Sequence, residues 1–293
     1  MPGKTALILS GGGARGAFQC AAEKYAREVK GYHWDLIAGV SVGALNGAML
    51  AMHKFDRLYE VWNTISAGQV YTGGFNLLSV LQVALGAKSF YGNRPLQKLL
   101  EQEFDPARLQ VELLVGAVSL VTGEYVQFSG RHPDLRQAVL ASTVIPIIWA
   151  PVDVSTQHAG MVDGGVRNIS PIGDVLPAEP DEIVIINCDP EAPQPLPAAP
   201  HNLKDIGLRT IDLLLNELFL SDLREFLRIN HLVREAAGHG VTLHNPSNGR
   251  PLKAYAYKLI QPLTFLGDTL DFSQPTIQHS LQAGLERARQ VLG

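Results

Sequence analysis

The sequence predicts a three-layer α/β/α fold, with a central, mainly parallel sheet and helices on both of its faces. Two short apolar runs, at residues 6–9 and 36–40, are each followed by glycines and then by small and apolar residues at helical spacing. Continuous apolar runs of this length are typical of strands buried on both faces, and strand–helix alternation favours parallel strands joined by right-handed crossovers. A chain of 293 residues, 46% of them hydrophobic, can bury the core that this fold requires.

The first two strand–helix units are the most regular part of the pattern. The strand at 6–9 leads into a helix at 14–29, which ends before Gly31. The strand at 36–40 leads into a helix at 44–52 whose small and apolar residues predict a buried position. Both units therefore belong to the centre of the sheet.

The rest of the chain supplies the outer elements. A Thr122-Gly123 turn separates two paired strands, and Pro146 stops the helix that follows them. The predicted elements are strands at 112–118, 124–128, 182–187 and 254–259 and helices at 134–142, 202–236 and 276–292. We expect one catalytic domain over residues 1–293, with its core motifs within 5–190 and a C-terminal helical region and last strand within 201–293.

Composition and charge narrow the function classes. The chain has 24 basic and 28 acidic residues and no basic run, which excludes a nucleic-acid partner. Its two cysteines, Cys20 and Cys188, lack the spacing of a metal or redox site, so we expect buried free thiols in a reducing compartment. The N-terminal apolar run is too short for a secretory signal, and no run approaches the ~20 apolar residues of a spanning helix. A cytoplasmic protein without a metal site is expected.

The glycine cluster after the first strand allows two functional interpretations. The run Gly11-Gly12-Gly13-Ala14-Arg15-Gly16 satisfies G-x-G-x-x-G between a strand and a helix, the pattern of a dinucleotide site. That site needs an acidic residue at the C-terminal end of the second strand, whereas Asp35 precedes this strand and lies at the opposite edge. The N–H groups of the loop can instead stabilise the oxyanion of an acyl-transfer intermediate. Tight packing between helix and strand is the purely structural alternative.

A second glycine motif places a serine at the same edge of the sheet. In Gly39-Val40-Ser41-Val42-Gly43, the serine comes at the C-terminal end of the second strand, where ligands bind in open parallel sheets. G-x-S-x-G between a strand and a helix is typical of the sharp turn that exposes a nucleophilic serine, and Gly39 and Gly43 permit that turn. The helix that follows directs its N-terminal amides toward an oxyanion formed at Ser41.

A nucleophilic serine needs a base, and two kinds of residue are available. Histidine is the usual base, but none of the nine histidines has a distinctive context: His33, His53, His132, His158, His201, His231, His239, His244 and His279. Asp163 follows a short apolar run and precedes Gly164 and Gly165, which permit a tight turn and a close neighbour. An ordinary Asp-Gly turn is the structural alternative.

Together these motifs resemble those of the patatin-like phospholipases, a family of lipid acyl hydrolases that use a Ser-Asp pair. Four stretches carry the resemblance: Ser10 to Gly16, Gly39 to Gly43, Ala141-Ser142-Thr143-Val144-Ile145-Pro146 with the downstream Pro151, and Asp163-Gly164-Gly165. Phe272-Ser273-Gln274 and the helix around Gly284 are similar to the C-terminal end of the family. The resemblance therefore covers most of the chain, while residues 200–250 match nothing recognisable.

The resemblance implies that Ser41 attacks the ester carbonyl and that Asp163 is its general base, with no histidine between them. It implies that the loop from Gly11 to Gly16 forms the oxyanion hole, with Arg15 ordering the loop, and that no cofactor is needed. One departure concerns the loop after Asp163. Family members often place an asparagine four residues after the Asp-Gly-Gly motif, whereas here Asn168 is third and Ile169 fourth. We therefore expect this loop to be held differently.

A lipid or ester substrate, with transient contact to a membrane surface, also follows from the resemblance. Residues 73–86 are nearly uncharged and bounded by glycines, as in a lid or an interfacial helix, although a buried helix explains them as well. Residues 211–220 could cap an acyl pocket, pack on the sheet or join two copies as a homodimer. Phospholipase and short-chain esterase activities both fit the motifs.

Three other functions stay open on sequence alone. A Ser-His-Asp α/β-hydrolase shares the G-x-S-x-G turn but requires one essential histidine. A nucleotide-binding Rossmann-like protein requires affinity for NAD or ATP. A lipid-binding or storage module would keep the fold without a reactive serine.

Overall fold

The computed structural model describes residues 3–73, 89, 91–193, 195–196 and 198–293. Its strands are β1 (Thr5–Leu9), β2 (Leu36–Gly39), β3 (Thr72–Gly73), β4 (Tyr91–Gly92), β5 (Glu112–Ser119), β6 (Tyr125–Ser129), β7 (Met161–Asp163), β8 (Glu182–Ile186) and β9 (Ala256–Ile260). Its helices are α1 (Gly16–Lys30), α2 (Val42–Ala51), α3 (Phe55–Thr64), α4 (Ala67–Val70), α5 (Arg94–Glu103), α6 (Leu135–Ser142), α7 (Ile172–Val175), α8 (Leu203–Gly238) and α9 (Gln274–Leu292).

The main sheet has the strand order β6-β5-β2-β1-β8-β9, and β7 also pairs with β5. The pairs β5–β2, β2–β1, β1–β8 and β8–β9 are parallel, whereas β6 and β7 run antiparallel to β5. In the centre, Leu7 of β1 pairs with Ile37 on one side and Val184 on the other. The predicted mainly parallel sheet is confirmed, and the predicted hairpin is its antiparallel edge.

Both faces of the sheet are covered by helices, which explains why its central strands are apolar throughout. Along β1, Leu7 and Leu9 pack into a core with α1, α2, α3 and α9. Ala6 and Ile8 point the other way and pack against α7 and α8. The predicted three-layer arrangement is therefore confirmed.

The long helix α8 shows how the apolar stretch at 211–220 is used. Phe219 and Leu220 are buried in the core between α8 and the sheet. Leu213 and Leu214, six residues earlier, are exposed, and a homodimer through this face stays a prediction. Although α8 has 36 residues, no helix in the described ranges combines the length and apolar character needed to cross a membrane.

Two further expectations concern local features. Cys20 and Cys188 are buried free thiols, as predicted. Of the proposed lid at 73–86, only Gly73 is described, as an exposed residue of β3, and residues 74–86 lie outside the described residues.

The length of β5 brings two functional segments together. β2 pairs with the first half of β5, where Gly39 lies opposite Val115. β7 pairs with the second half, where Asp163 lies opposite Ala117. Because β6 occupies the other edge of β5, β2 and β7 share one edge and meet nearly end to end. The chain leaving β2 at Ser41 therefore faces the end of β7 at Asp163.

The packing of α9 on α1 offers a test of the fold. A Cβ on Gly284 of α9 would lie 2.2 Å from the carbonyl oxygen of Phe18 in α1, so Gly284→Ala must separate the two helices. We expect it to lower the free energy of unfolding by about 2 kcal/mol or more, the usual range for overpacking a core. Chemical denaturation measures the change.

The matched control is Gly207→Ala, in the interior of α8. A Cβ at Gly207 would meet no atom within 4 Å, so alanine should raise stability by roughly 0.5–1 kcal/mol through helix propensity. Equal stability of Gly284→Ala and the unmodified protein would contradict the close packing of α9 on α1.

Candidate active site

Ser41 lies on a strained turn between β2 and α2. Its backbone dihedrals are φ 57° and ψ −127°, a region that non-glycine residues rarely occupy and that costs about 1–3 kcal/mol. The two flanking positions must be glycine because neither has room for a Cβ atom. A Cβ on Gly39 would lie 2.3 Å from the carbonyl oxygen of Gly43, and a Cβ on Gly43 would lie 2.2 Å from that of Leu9. The turn is thus the sharp strand-to-helix turn that the sequence predicts.

Asp163 ends β7 and directs its carboxylate at Ser41. The carboxylate accepts a hydrogen bond from the N–H of Gly165 at 2.8 Å, and the Ser41 hydroxyl lies close enough to it to lower its pKa as a donor. The Asp163 N–H donates to the carbonyl of Val144 at 2.8 Å, which fixes the end of the strand. Gly164 is needed behind it, because a Cβ there would lie 2.4 Å from the carbonyl oxygen of Gly116.

The electrostatics of Asp163 suit a base that works near neutral pH. Burial raises the pKa of Asp163 to about 7, since desolvation disfavours the charged carboxylate. The hydrogen bonds from Ser41 and Gly165 lower this pKa but offset only part of the desolvation. A carboxyl with a pKa near 7 is a far stronger base than an ordinary aspartate.

Histidine does not take part in this arrangement. Among the hydrogen bonds and ion pairs of the described residues, which include all nine histidines, none joins a histidine to Ser41 or Asp163. His158, for instance, bonds to Ser155 and packs edge-to-face against Phe128. The geometry does not support a Ser-His-Asp hydrolase.

The glycine loop after β1 runs directly beside Ser41. A Cβ on Gly11 would lie 3.2 Å from the Ser41 Cβ. Most N–H groups of the loop already have partners: that of Gly11 donates to Ile169, that of Ala14 to Thr269 and that of Arg15 to Gly12, while that of Gly16 donates to Gly13 and Ala14. Within the described ranges, the N–H groups of Gly12 and Gly13 make no hydrogen bond.

Two carbonyl groups fix the direction of these N–H groups. The Gly11 carbonyl accepts from the Ser10 hydroxyl at 3.0 Å, and the Gly12 carbonyl accepts from Arg15 Nε at 3.2 Å. In a trans peptide the C=O and the following N–H point in opposite directions. The held Gly11 carbonyl therefore fixes the direction of the Gly12 N–H, which points away from it. The held Gly12 carbonyl fixes the direction of the Gly13 N–H in the same way.

Arg15 is anchored by a network that reaches the C-terminal part of the chain. Its buried guanidinium bonds to the Asp189 carboxylate and donates to the Thr269 hydroxyl at 2.7 Å, and Asp212 of α8 lies 3.7 Å away. Thr269 also packs against the loop, since a Cβ on Gly13 would lie 2.2 Å from its carbonyl oxygen. Sequence reasoning missed Thr269, because no motif surrounds it.

Two more residues hold the site without a sequence signal that assigns their role. The Ser142 hydroxyl accepts from the Ser41 N–H at 2.9 Å and so fixes the strained turn. Ile169 accepts from the Gly11 N–H at 3.0 Å, and its Cδ1 would lie within 3 Å of a Cβ on either Gly11 or Gly165. Ile169 thus ties the glycine loop to the loop after Asp163, at the position where the family often has asparagine.

An apolar cavity of about 100 Å³ opens beside Ser41. Gly13, Ser41, Thr143 and Thr269 line it, and the rest of its wall is almost entirely apolar. The apolar wall includes Val42, Leu45, Met49, Leu58, Val61, Trp62, Leu96, Leu99, Leu100, Phe104, Trp149 and Leu270. An engineered apolar cavity of about 150 Å³ binds benzene, so this cavity has the character and size to receive part of a hydrocarbon chain.

The structure places Asp35 away from the position that a dinucleotide site requires. The Asp35 carboxylate accepts from the Thr5 N–H at 2.8 Å, at the start of β1 and at the edge opposite Ser41. No group of three or more His, Cys, Asp or Glu side chains among the described residues is arranged to hold a metal ion.

Comparison with known proteins agrees with the motifs. The sequence profile described as Patatin-like phospholipase matches residues 7–176, more than half of the chain. The chain belongs to the patatin-like phospholipase family. A crystal structure of VipD from Legionella pneumophila is similar to this chain, with 12% sequence identity and a TM-score of 0.41. The match covers 99% of this chain and 67% of the VipD chain.

Membership in the patatin-like phospholipase family identifies the class of enzyme. The family consists of lipid acyl hydrolases, so the chain is a hydrolase that acts on lipid esters. The family profile ends at residue 176, whereas the Arg15 network draws on Asp189, Asp212 and Thr269. Part of the site is therefore built from residues beyond the matched region.

The pKa of Asp163 predicts how the activity of this patatin-like protein depends on pH. A carboxylate can act as a base toward Ser41 only when it is ionised, so with Asp163 in that role kcat/KM for a soluble ester should fall about tenfold per pH unit below a pKa of about 7. Stability should change in the opposite direction. Because the folded-state pKa is raised, the contribution of Asp163 to stability is complete at pH values below its unfolded pKa and is lost as pH rises through about 7.

Initial rates from about pH 5 to 9, and denaturation of the wild type and Asp163→Asn over the same range, measure both effects. The wild type should lose stability relative to Asp163→Asn as pH rises through about 7. If the activity fell only as pH dropped through about 4, the ordinary pKa range of aspartate, the raised pKa of Asp163 would be contradicted.

Proposed function

We propose that the protein hydrolyses carboxylic esters of lipids through an acyl-enzyme on Ser41, with Asp163 as the only general base. The observation that carries this proposal is the position of the Ser41 hydroxyl beside the buried Asp163 carboxylate, whose pKa burial raises to about 7. A free hydroxyl is too weakly acidic to attack an ester without a base. Here the base contacts the nucleophile directly.

The reaction proceeds in two acyl transfers. In the first, the Ser41 oxygen bonds to the ester carbonyl carbon while its proton passes to Asp163, and the carbonyl oxygen becomes an oxyanion. Collapse of this intermediate breaks the bond to the alcohol, which leaves with the proton from Asp163. In the second, Asp163 takes a proton from water as the water oxygen attacks the acyl carbon, and the proton returns to Ser41 as the fatty acid is released.

The oxyanion is held by the N–H groups of Gly12 and Gly13. Their lack of other hydrogen bonds among the described residues and the anchoring of their carbonyl neighbours support this role. Donors fixed in advance need no reorganisation when charge develops, and each typically contributes about 10²–10³ in kcat. The N-terminus of α2, which starts directly after Ser41, adds a favourable dipole. Arg15 acts here as a positioning residue for the loop.

The acyl chain lies in the apolar cavity beside Ser41. Asn46 is a buried polar side chain of α2, and its polar atoms already have hydrogen-bond partners. Its amide donates to Gly16 and Gln19, and its oxygen accepts from Trp62. The wall therefore presents no free polar group at this position to oppose a hydrocarbon. Each buried methylene should stabilise the bound ester by about 0.8 kcal/mol.

Transient contact with a lipid surface would deliver such substrates. Apolar side chains are exposed on segments that flank the site: Ile147 is 63% exposed on the segment between Thr143 and Trp149, both of which line the cavity, and Val166 is 40% exposed just after Gly165. Ile147 also has φ 74°, a strained conformation for a β-branched residue. These side chains suit brief insertion among lipid chains.

Substitution of the dyad tests the proposal. Ser41→Ala and Asp163→Asn should each reduce ester hydrolysis by about 10⁴-fold or more, as expected for groups that act as one unit. Release of p-nitrophenol or of fatty acid from a phospholipid measures the activity, and circular dichroism verifies the fold.

Asp174→Asn is the matched control. Burial also raises the pKa of Asp174, to about 6, but its carboxylate accepts from the Tyr125 hydroxyl at 2.7 Å and makes no bond to Ser41. This variant should retain activity within a few-fold. Full activity of Ser41→Ala or Asp163→Asn would refute the Ser-Asp assignment.

A further inference from the structure

The acyl cavity ends at a charged residue, and we propose that Glu103 sets the longest acyl chain that the enzyme accepts. Glu103 lines the same cavity as Ser41, although nearly all other side chains in that wall are apolar. The inference rests on the proposed function, because it assigns the far end of the cavity in which the acyl chain lies.

Ser41 and Glu103 both line the cavity: Ser41 directly precedes α2, and Glu103 is the last residue of α5. Val42, Leu45 and Met49 line the cavity from one face of α2, and the eight residues from Val42 to Met49 span about 10 Å of helix. The Met49 carbonyl accepts from the Lys54 N–H at 3.0 Å. Lys54 Nζ in turn donates to the Glu103 carbonyl at 2.6 Å. The C-terminal end of α2 therefore lies next to Glu103.

Two basic residues hold the Glu103 carboxylate across this end. Arg57 of α3 donates to it from Nη2 at 2.6 Å and from Nε at 3.0 Å, and Lys54 Nζ lies 3.4 Å from its other oxygen. The side chain of Glu103 is 14% exposed, that of Lys54 21% and that of Arg57 43%. Exposure thus increases outward, so Glu103 stands between the cavity and the basic side chains that reach solvent.

This arrangement limits chain length through two opposing effects. Each methylene that enters the apolar wall should raise kcat/KM about fourfold. A chain long enough to reach Glu103 must instead strip water from a carboxylate and disturb its pairing with Arg57, which is unfavourable. Arg57 lowers the pKa of Glu103 through its hydrogen bonds, so the carboxylate stays charged at neutral pH. Affinity should therefore rise with chain length and then stop rising.

A purely structural role for Glu103, joining α3 to α5, predicts a different result. Arg57 also pairs with Glu60 at 2.9 Å, on the outer side, and Glu60 does not line the cavity. Glu60→Ala removes a carboxylate from the same arginine without opening the cavity, and is the matched control. If Glu103 acted only through Arg57, the two variants would behave alike.

The experiment measures two chain-length profiles for each variant. The first is kcat/KM for p-nitrophenyl esters from acetate to palmitate. The second is the binding of the matching saturated fatty acids, detected by displacement of anilinonaphthalene sulfonate. The binding profile does not depend on catalysis, so it tests the length limit even if ester hydrolysis fails.

Glu103→Ala should extend both profiles, raising values for the longest chains by about tenfold or more relative to short chains. Glu60→Ala should keep the wild-type profile. Ala48 of α2 also lines the cavity, so Ala48→Leu, which reduces the cavity volume, should shorten both profiles. Glu103→Gln keeps the size of the side chain and removes its charge, so it should relax the limit in part, and it provides the test if Glu103→Ala does not fold.

The proposal is overturned if Glu103→Ala and Glu103→Gln both keep the wild-type profiles, or if Glu60→Ala extends them equally. An unchanged profile in Ala48→Leu would also overturn it, because the chain would then lie elsewhere. If the wild type hydrolysed no ester but its fatty-acid binding still showed a length limit, the proposed function would be rejected. The role of Glu103 in limiting chain length would stand.

Discussion

The placement of the Ser41 hydroxyl beside the buried Asp163 carboxylate is the constraint on which the rest of the site depends. It requires two unfavourable states at once: a serine in a strained backbone conformation and a carboxylate removed from water. Neither state would persist in a flexible loop. The long strand β5 makes both possible, because it holds β2 and β7 on the same edge so that their ends face each other.

The surroundings of this pair are arranged to keep it rigid. Ser142 holds the N–H of Ser41, Val144 holds the N–H of Asp163, and Ile169 joins the glycine loop to the loop after Asp163. Arg15 then connects the glycine loop to Asp189 and Thr269. The proposed oxyanion donors and the proposed base are thus fixed by contacts to four separate parts of the chain, as preorganised catalysis requires.

Local patterns were sufficient to predict the fold. The apolar runs at 6–9 and 36–40 correspond to β1 and β2, and the helix expected at 202–236 is α8, which spans Leu203–Gly238. These predictions succeeded because a strand buried on both faces and a strand-to-helix glycine turn each leave a contiguous signature. α2 begins at Val42, two residues before the predicted start, because the turn is complete at Ser41.

Contacts between distant residues could not be predicted in the same way. Ser142 is 101 residues from Ser41 and Thr269 is 254 residues from Arg15, and neither polar side chain differs locally from an ordinary one. The sequence presented six residues of the glycine loop as equal candidates, and only the hydrogen bonds separate Gly12 and Gly13 from the others. The cavity could not be predicted from the sequence either, because its wall combines residues of several helices with the loop near Thr269.

The most direct test of a serine activated by aspartate alone is the reaction of the protein with an alkyl fluorophosphonate, mapped by peptide mass spectrometry. The account predicts an adduct on Ser41 and on no other residue, formed at a rate that follows ionisation of a group with a pKa of about 7 and is greatly reduced in Asp163→Asn. An adduct on another residue, or an equal rate of labelling in Asp163→Asn, would contradict it.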